Sequence, residues 1–193
     1  MLLDKLRKQD SILSIGISHL KNEKHLGKDE IVRLSSKTRN KILAVQFLNP
    51  TFIAGNLHAL SAAQNAVNAW FGGYAVSRGL DVEIAVYASG QRQIGPALES
   101  MGIRDGMSSL ALVVIADNDA AVKTAFEEIA RSVGTEMIPA FPIDAERKQK
   151  ILEHFGIKET ELSALSQSDD PNETYRVLCR CVASRVSMVA IET

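Results

Sequence analysis

The stretch "DVEIAVYASGQRQIGPALESMGI", residues 81–103, decides how the chain is read. Residues 81–88 alternate in the manner of a half-buried strand. Ser89 and Gly90 interrupt the run, and a polar segment with one arginine and two glutamines follows. Gly95 and Pro96 fit the N-cap and first position of a short helix, and Gly102 fits its stop. A strand, a polar loop and a helix in that order predict an α/β unit.

The rest of the chain extends this pattern. Residues 11–17, "SILSIGI", and 42–48, "ILAVQFL", predict two further strands, the second closed by an Asn49-Pro50 turn. Ser109–Ala116 predicts a strand buried on both faces. Between them, helices are expected near 28–35, over 57–78 with Asn56 as cap, and over 118–131 with Gly134 ending it. "EMIPAFPI", residues 136–143, has two prolines and predicts an edge strand or a loop. Helices follow near Ala145–Phe155 and Glu159–Leu165. The last helix has a marked start, with Asp170 as cap, Pro171 first inside and Glu173 at the capping-box position. The expected fold is α/β, one domain over residues 1–193, with a small mixed sheet of about four strands covered by helices.

Composition narrows the function classes. The longest apolar run is 110–116, too short to span a bilayer. The opening "MLLDKLRKQD" is charged too early for a signal peptide, so a soluble, cytoplasmic protein is expected. Residues 1–41 carry ten basic and five acidic side chains, a balance of +5, against –6 over the remainder. Such a basic segment attracts a polyanion or forms a solvated edge. Cys179 and Cys181 form a lone C-x-C without a second ligand pair, which favours packing over a metal site. No dinucleotide, Walker, nucleophile-elbow or H-E-x-x-H motif is present, and His19, His25, His58 and His154 lack local partners. No catalytic residue, metal or cofactor is therefore expected.

The 89–94 loop is the most informative element. A helix N-terminus presents unpaired N–H groups that suit anions. Gly90 permits close approach, and Arg92 offers a planar five-donor fork for a phosphate or a base. Gln91 and Gln93 carry donors and acceptors, and Ser89 adds a hydroxyl. A polar loop without a ligand is the plain alternative. Arg92 alone falls short, because one charge-assisted bond contributes about 1.5–3 kcal/mol and micromolar binding needs roughly 8 kcal/mol.

"LNPTFIAGNLHALSAAQNAV" (residues 48–67), "VEIAVYASGQRQIGPALESMGI" (residues 82–103) and the Cys-Arg-containing last helix resemble the PRPK-binding (TPRKB-type) subunit family of the KEOPS complex, in its archaeal form. The resemblance spans residues 42–193 and is weak over 1–41. It implies a non-catalytic subunit of the assembly that makes N6-threonylcarbamoyladenosine in tRNA. Such a subunit binds the kinase-like ATPase subunit directly and the other KEOPS subunits indirectly, and its archaeal members hold the single-stranded CCA 3′ end of tRNA. The family's RNA-binding motif falls on Ser89, Gly90, Gln91, Arg92, Gln93 and Ile94, with Gln91 where archaeal relatives often carry lysine. Asn56 and His58 are expected beside it. For the kinase, the apolar stripe Leu178, Val182, Val186 and Val189 is the candidate face, against core packing as the alternative. The rival readings are an adaptor without RNA contact and a stand-alone α/β enzyme or small-ligand binder.

Overall fold

A computed structural model describes residues 1–39, 41–166 and 170–190. Four strands form one sheet: β1 (Leu2–Lys8), β2 (Ser11–Lys21), β3 (Ala44–Leu48) and β4 (Ser109–Ala116), in the order β1-β2-β4-β3. Every neighbouring pair is antiparallel, where a mixed sheet was expected. The helices are α1 (Lys28–Arg39), α2 (Asn56–Gly72), α3 (Leu80–Ser89), α4 (Ile94–Met101), α5 (Asp119–Val133), α6 (Ala145–Phe155), α7 (Glu159–Leu165) and α8 (Pro171–Met188).

β4 is the central feature. It pairs with β2 on one side and β3 on the other, and it is buried on both faces as its unbroken apolar run predicts. Ala111, Val113 and Ile115 face a core shared with α2, α3 and α8. Leu110, Leu112, Val114 and Ala116 face the opposite core, which Val122, Ala125 and Ile129 of α5 and Ile31 of α1 complete. The result is a helix–sheet–helix sandwich.

The expected number of strands is right, but its membership changes. Residues 81–88 are helical: they form most of α3. All of Glu83–Ser89 is buried, so helical periodicity has no exposed face on which to register. A short apolar run buried on every side cannot be assigned by alternation alone. Its helical markers are Asp81 and Glu83 in the first turn and Gly90 in the left-handed conformation at the end, φ 67°. In its place the sheet gains β1, whose charges hide a strand that buries Leu6. β1 is an edge, and Gln64 of α2 blunts it: its side-chain amide accepts from the Arg7 N–H and donates to the Arg7 carbonyl, both at 2.9 Å. Residues 136–143 are a loop, with one isolated bridge from Glu136 to Leu20.

α2 is shorter than expected, ending at Gly72 with Gly73 as its left-handed cap. Its buried face is mostly alanine (Ala59, Ala62, Ala63, Ala66 and Ala69), so α3 and α8 approach closely. Asn56 is the first residue inside the helix and does not cap it. Gly55 holds that position at φ 154°, where a β-carbon would lie 2.4 Å from the Tyr175 hydroxyl and 3.0 Å from the Cys179 sulfur.

The structure corrects the candidate kinase face. Leu178, Val182, Val186 and Val189 are all buried, between none and 4% exposed, because α8 turns its stripe onto α2 and into the core. They hold the fold together and present nothing to an outside partner. Leu178→Ala is therefore expected to destabilise the protein by about 2–5 kcal/mol, measured by urea denaturation. A stability unchanged by the substitution would show the stripe to be dispensable to the core.

Candidate nucleic-acid interface

The polar loop connects two helices rather than a strand and a helix. α3 ends at Ser89, Gly90 makes the left-handed turn, and Gln93 is the N-cap of α4 without a side-chain cap bond. Gly90 is required here twice over. Its φ is positive, and a β-carbon would sit 3.1 Å from the Phe155 ring. Helix α4 begins at Ile94, so Gly95 and Pro96 lie within its first turn.

The six motif residues divide by burial. Ser89 is buried, and its hydroxyl is committed locally: it donates to the Val86 carbonyl at 2.7 Å and accepts from the Gln91 N–H at 3.1 Å. It shapes the loop and offers no free group to a ligand. Gly90 and Gln91 are half-buried, whereas Arg92, Gln93 and Ile94 are exposed. No carboxylate or carbonyl among the described residues engages the Arg92 guanidinium. Arg92 lines a small crevice with Tyr74, Val76, Glu83, Val86 and Tyr87. The Tyr74 side chain is half-exposed. Glu83 is buried, and its carboxylate accepts from the Ser77 N–H at 2.9 Å and the Val76 N–H at 3.3 Å, which orders the approach to α3.

His58 lies beneath the loop, not beside it. The ring is fully buried, and both nitrogens are engaged. Nδ1 accepts from the Ala54 N–H at 3.1 Å, which assigns the proton to Nε2, and Nε2 donates to the Ala88 carbonyl at 2.8 Å. Burial pushes its pKa down to about 4; the bond to Ala88 opposes the shift, and His154 and Arg147 nearby reinforce it. The expected RNA contact by His58 is thus replaced by a bond internal to the fold. Asn56 is half-buried, and its side-chain oxygen is buried without a hydrogen-bond partner among the described residues.

Sequence reasoning missed three residues that fix this corner. His154 of α6 donates from Nε2 to the Ser89 carbonyl at 2.9 Å, and burial lowers its pKa. Asn49 holds the far end of α4: its N–H donates to the Met101 carbonyl at 2.8 Å and its amide to Ser100 at 3.2 Å. Arg147 grips the Asn-Pro-Thr turn, donating to the carbonyls of Pro50 at 2.8 Å, Thr51 at 3.4 Å and Ile53. The contacts of His154 and Arg147 join elements roughly sixty to a hundred residues apart, and no local pattern announces them.

Further exposed apolar side chains lie on α1 and α4. Val32 and Leu98 flank a groove of about 290 Å³ between α1, β3, α3 and α4. No helix among the described residues is long and apolar enough to cross a membrane. The thiols of Cys179 and Cys181 are buried and pushed up in pKa, as packing cysteines are; Cys179 donates to the Ala54 carbonyl.

The family described as Kinase binding protein CGI-121 matches residues 17–189 of this chain. No curated protein matches it.

The buried imidazole sets a pH dependence. Because the folded pKa of His58 lies below the usual 6.5, its contribution to stability is complete above pH 6.5 and is lost as the pH falls toward 4. The shift corresponds to about 3 kcal/mol. Wild type is expected to lose more stability than His58→Gln between pH 7 and pH 4 in denaturant melts; parallel losses would show that His58 does not titrate in that window.

Proposed function

The chain belongs to the Kinase binding protein CGI-121 family, and from that premise we propose that it is a non-catalytic subunit of a KEOPS-type tRNA-modifying assembly. On this reading it docks on the kinase-like ATPase subunit and recruits tRNA by its single-stranded CCA 3′ end. The observation that carries the RNA half is the exposed guanidinium of Arg92, without a hydrogen-bond or ion-pair partner among the described residues, on a loop whose α3 end is held by His58 and His154.

The chemistry of a single-stranded end suits that corner. Unstacked bases need aromatic or guanidinium planes, and the sugar–phosphate backbone needs donors. Arg92 supplies five donors and a flat face. Tyr74, in the same crevice, supplies an aromatic face. Gln93 is exposed, and the first turn of α4 beside it leaves the Ile94 and Gly95 N–H groups outside the helical ladder. Ser89 and His58 serve from inside, holding the end of α3, and Gln91 is half-covered. Stacking on Tyr74 adds about 1–3 kcal/mol per base to the contribution of Arg92.

Arg92→Ala is expected to weaken binding of CCA-ended tRNA about tenfold or more, in filter binding at fixed salt, with kinase binding and thermal midpoint unchanged. Removing the CCA from the tRNA should weaken wild type to a similar degree and add little to the variant. Equal affinity of wild type for intact and CCA-less tRNA would sink the RNA contact and leave the docking adaptor.

A further inference from the structure

We propose that His154 is a positioning residue for the 89–94 loop, setting where Arg92 stands through its bond to the Ser89 carbonyl. This rests on the reading of that loop as the RNA contact.

The loop has few bonds of its own. Gly90 N–H donates back to the Tyr87 carbonyl, Gln91 N–H donates to the Ser89 hydroxyl, and Gln93 contributes the first carbonyl of α4. The side chains of Arg92 and Gln93 have no hydrogen-bond partner among the described residues. Asn49 ties α4 only at its far end, through the carbonyls of Ser100 and Met101. The location of Arg92 is therefore set by what grips the α3 end of the segment.

The α3 end is gripped by two imidazoles on consecutive carbonyls. Ala88 and Ser89 stand in the last turn, where backbone carbonyls have no partner within the helix. His58 takes the first from within the core. His154 takes the second from the outer side, on the residue before the left-handed glycine. The next residue on α6, Phe155, lies against Gly90, so bond and ring contact act on adjacent residues. The His154 ring is itself fixed, edge-on to Phe155 at 4.6 Å and tilted against Phe52 at 4.7 Å.

α6 is anchored well enough to serve as a brace. Arg147 and His154 are seven residues apart, two turns on one face. Arg147 locks its end of that face to the carbonyls of residues 50–53, and buried Ile151 lies between the two polar anchors. The two histidines differ in consequence. His58 also receives the Ala54 N–H and supports the start of α2, so its loss disturbs the core. For the His154 side chain the bond to Ser89 is its one hydrogen bond among the described residues, and its loss bears on the loop.

The test compares His154→Phe and His154→Leu, which lack the donor, with His154→Gln, which keeps an N–H at similar reach. Each is measured for affinity to tRNA with and without its CCA, for thermal midpoint, and for amide hydrogen exchange over residues 89–95. The donor-less variants are expected to lose about three- to tenfold of the preference for CCA-ended tRNA, the effect of one neutral hydrogen bond. They should also exchange faster in the loop, while His154→Gln stays near wild type in both. Two donor-less variants guard against one failing to fold. Wild-type preference and wild-type exchange in either folded donor-less variant would overturn the proposal. A wild type without preference for the CCA would instead overturn the RNA reading, and unchanged loop exchange in the variants would then refute the brace separately.

Discussion

The corner at the end of α3 depends on the satisfaction of two carbonyls. A helix buried along nearly its whole length cannot hand its terminal acceptors to water, and an unpaired buried acceptor costs about 1–3 kcal/mol. The chain meets this need with imidazoles from two different helices, α2 and α6. Burial penalises the charged imidazolium and so lowers the pKa of both rings, and in His58 the bond from the Ala54 N–H further requires Nδ1 to be unprotonated. With the backbone pinned there, Gly90 can turn the chain outward and leave Arg92 unengaged. Position and availability of the guanidinium come from the same bonds.

That arrangement accounts for how the molecule separates rigid from open parts. The alanine face of α2 lets α3 and α8 pack at short range, and the sheet behind them is covered on both faces. Little apolar surface of α8 is left over. The stripe Leu178, Val182, Val186 and Val189 is spent on the interior. Exposed apolar groups such as Val32 and Leu98 lie across the molecule's α1–α4 side instead.

Much of the fold was legible in the sequence where one face met water or a cap was explicit. β4 was read from its continuous apolar run, α5 from Asn118 and Gly134, and α8 from Asp170 and Pro171. α3 was misread because Glu83–Ser89 has no solvent face, so β-favouring residues at alternate positions looked like a strand. β1 was missed because an edge strand can carry four charged residues and still bury Leu6. For the site, the loop and Arg92 stood out by composition. His154, Arg147 and Asn49 did not, since their partners are backbone carbonyls, which leave no residue-type signature at the other end. His58 stood out for the wrong reason: its ring lies beneath the loop and holds the end of α3.

The amide of Gln64 lying on Arg7 has a further consequence. It imitates a missing neighbour strand for one peptide unit, giving and taking the two bonds that an incoming chain would offer. On the opposite rim Ser35 donates to the Val45 carbonyl and so occupies one acceptor there. A second polypeptide seeking to lengthen the sheet would have to evict a side chain at either margin, and this discourages runaway edge-to-edge stacking.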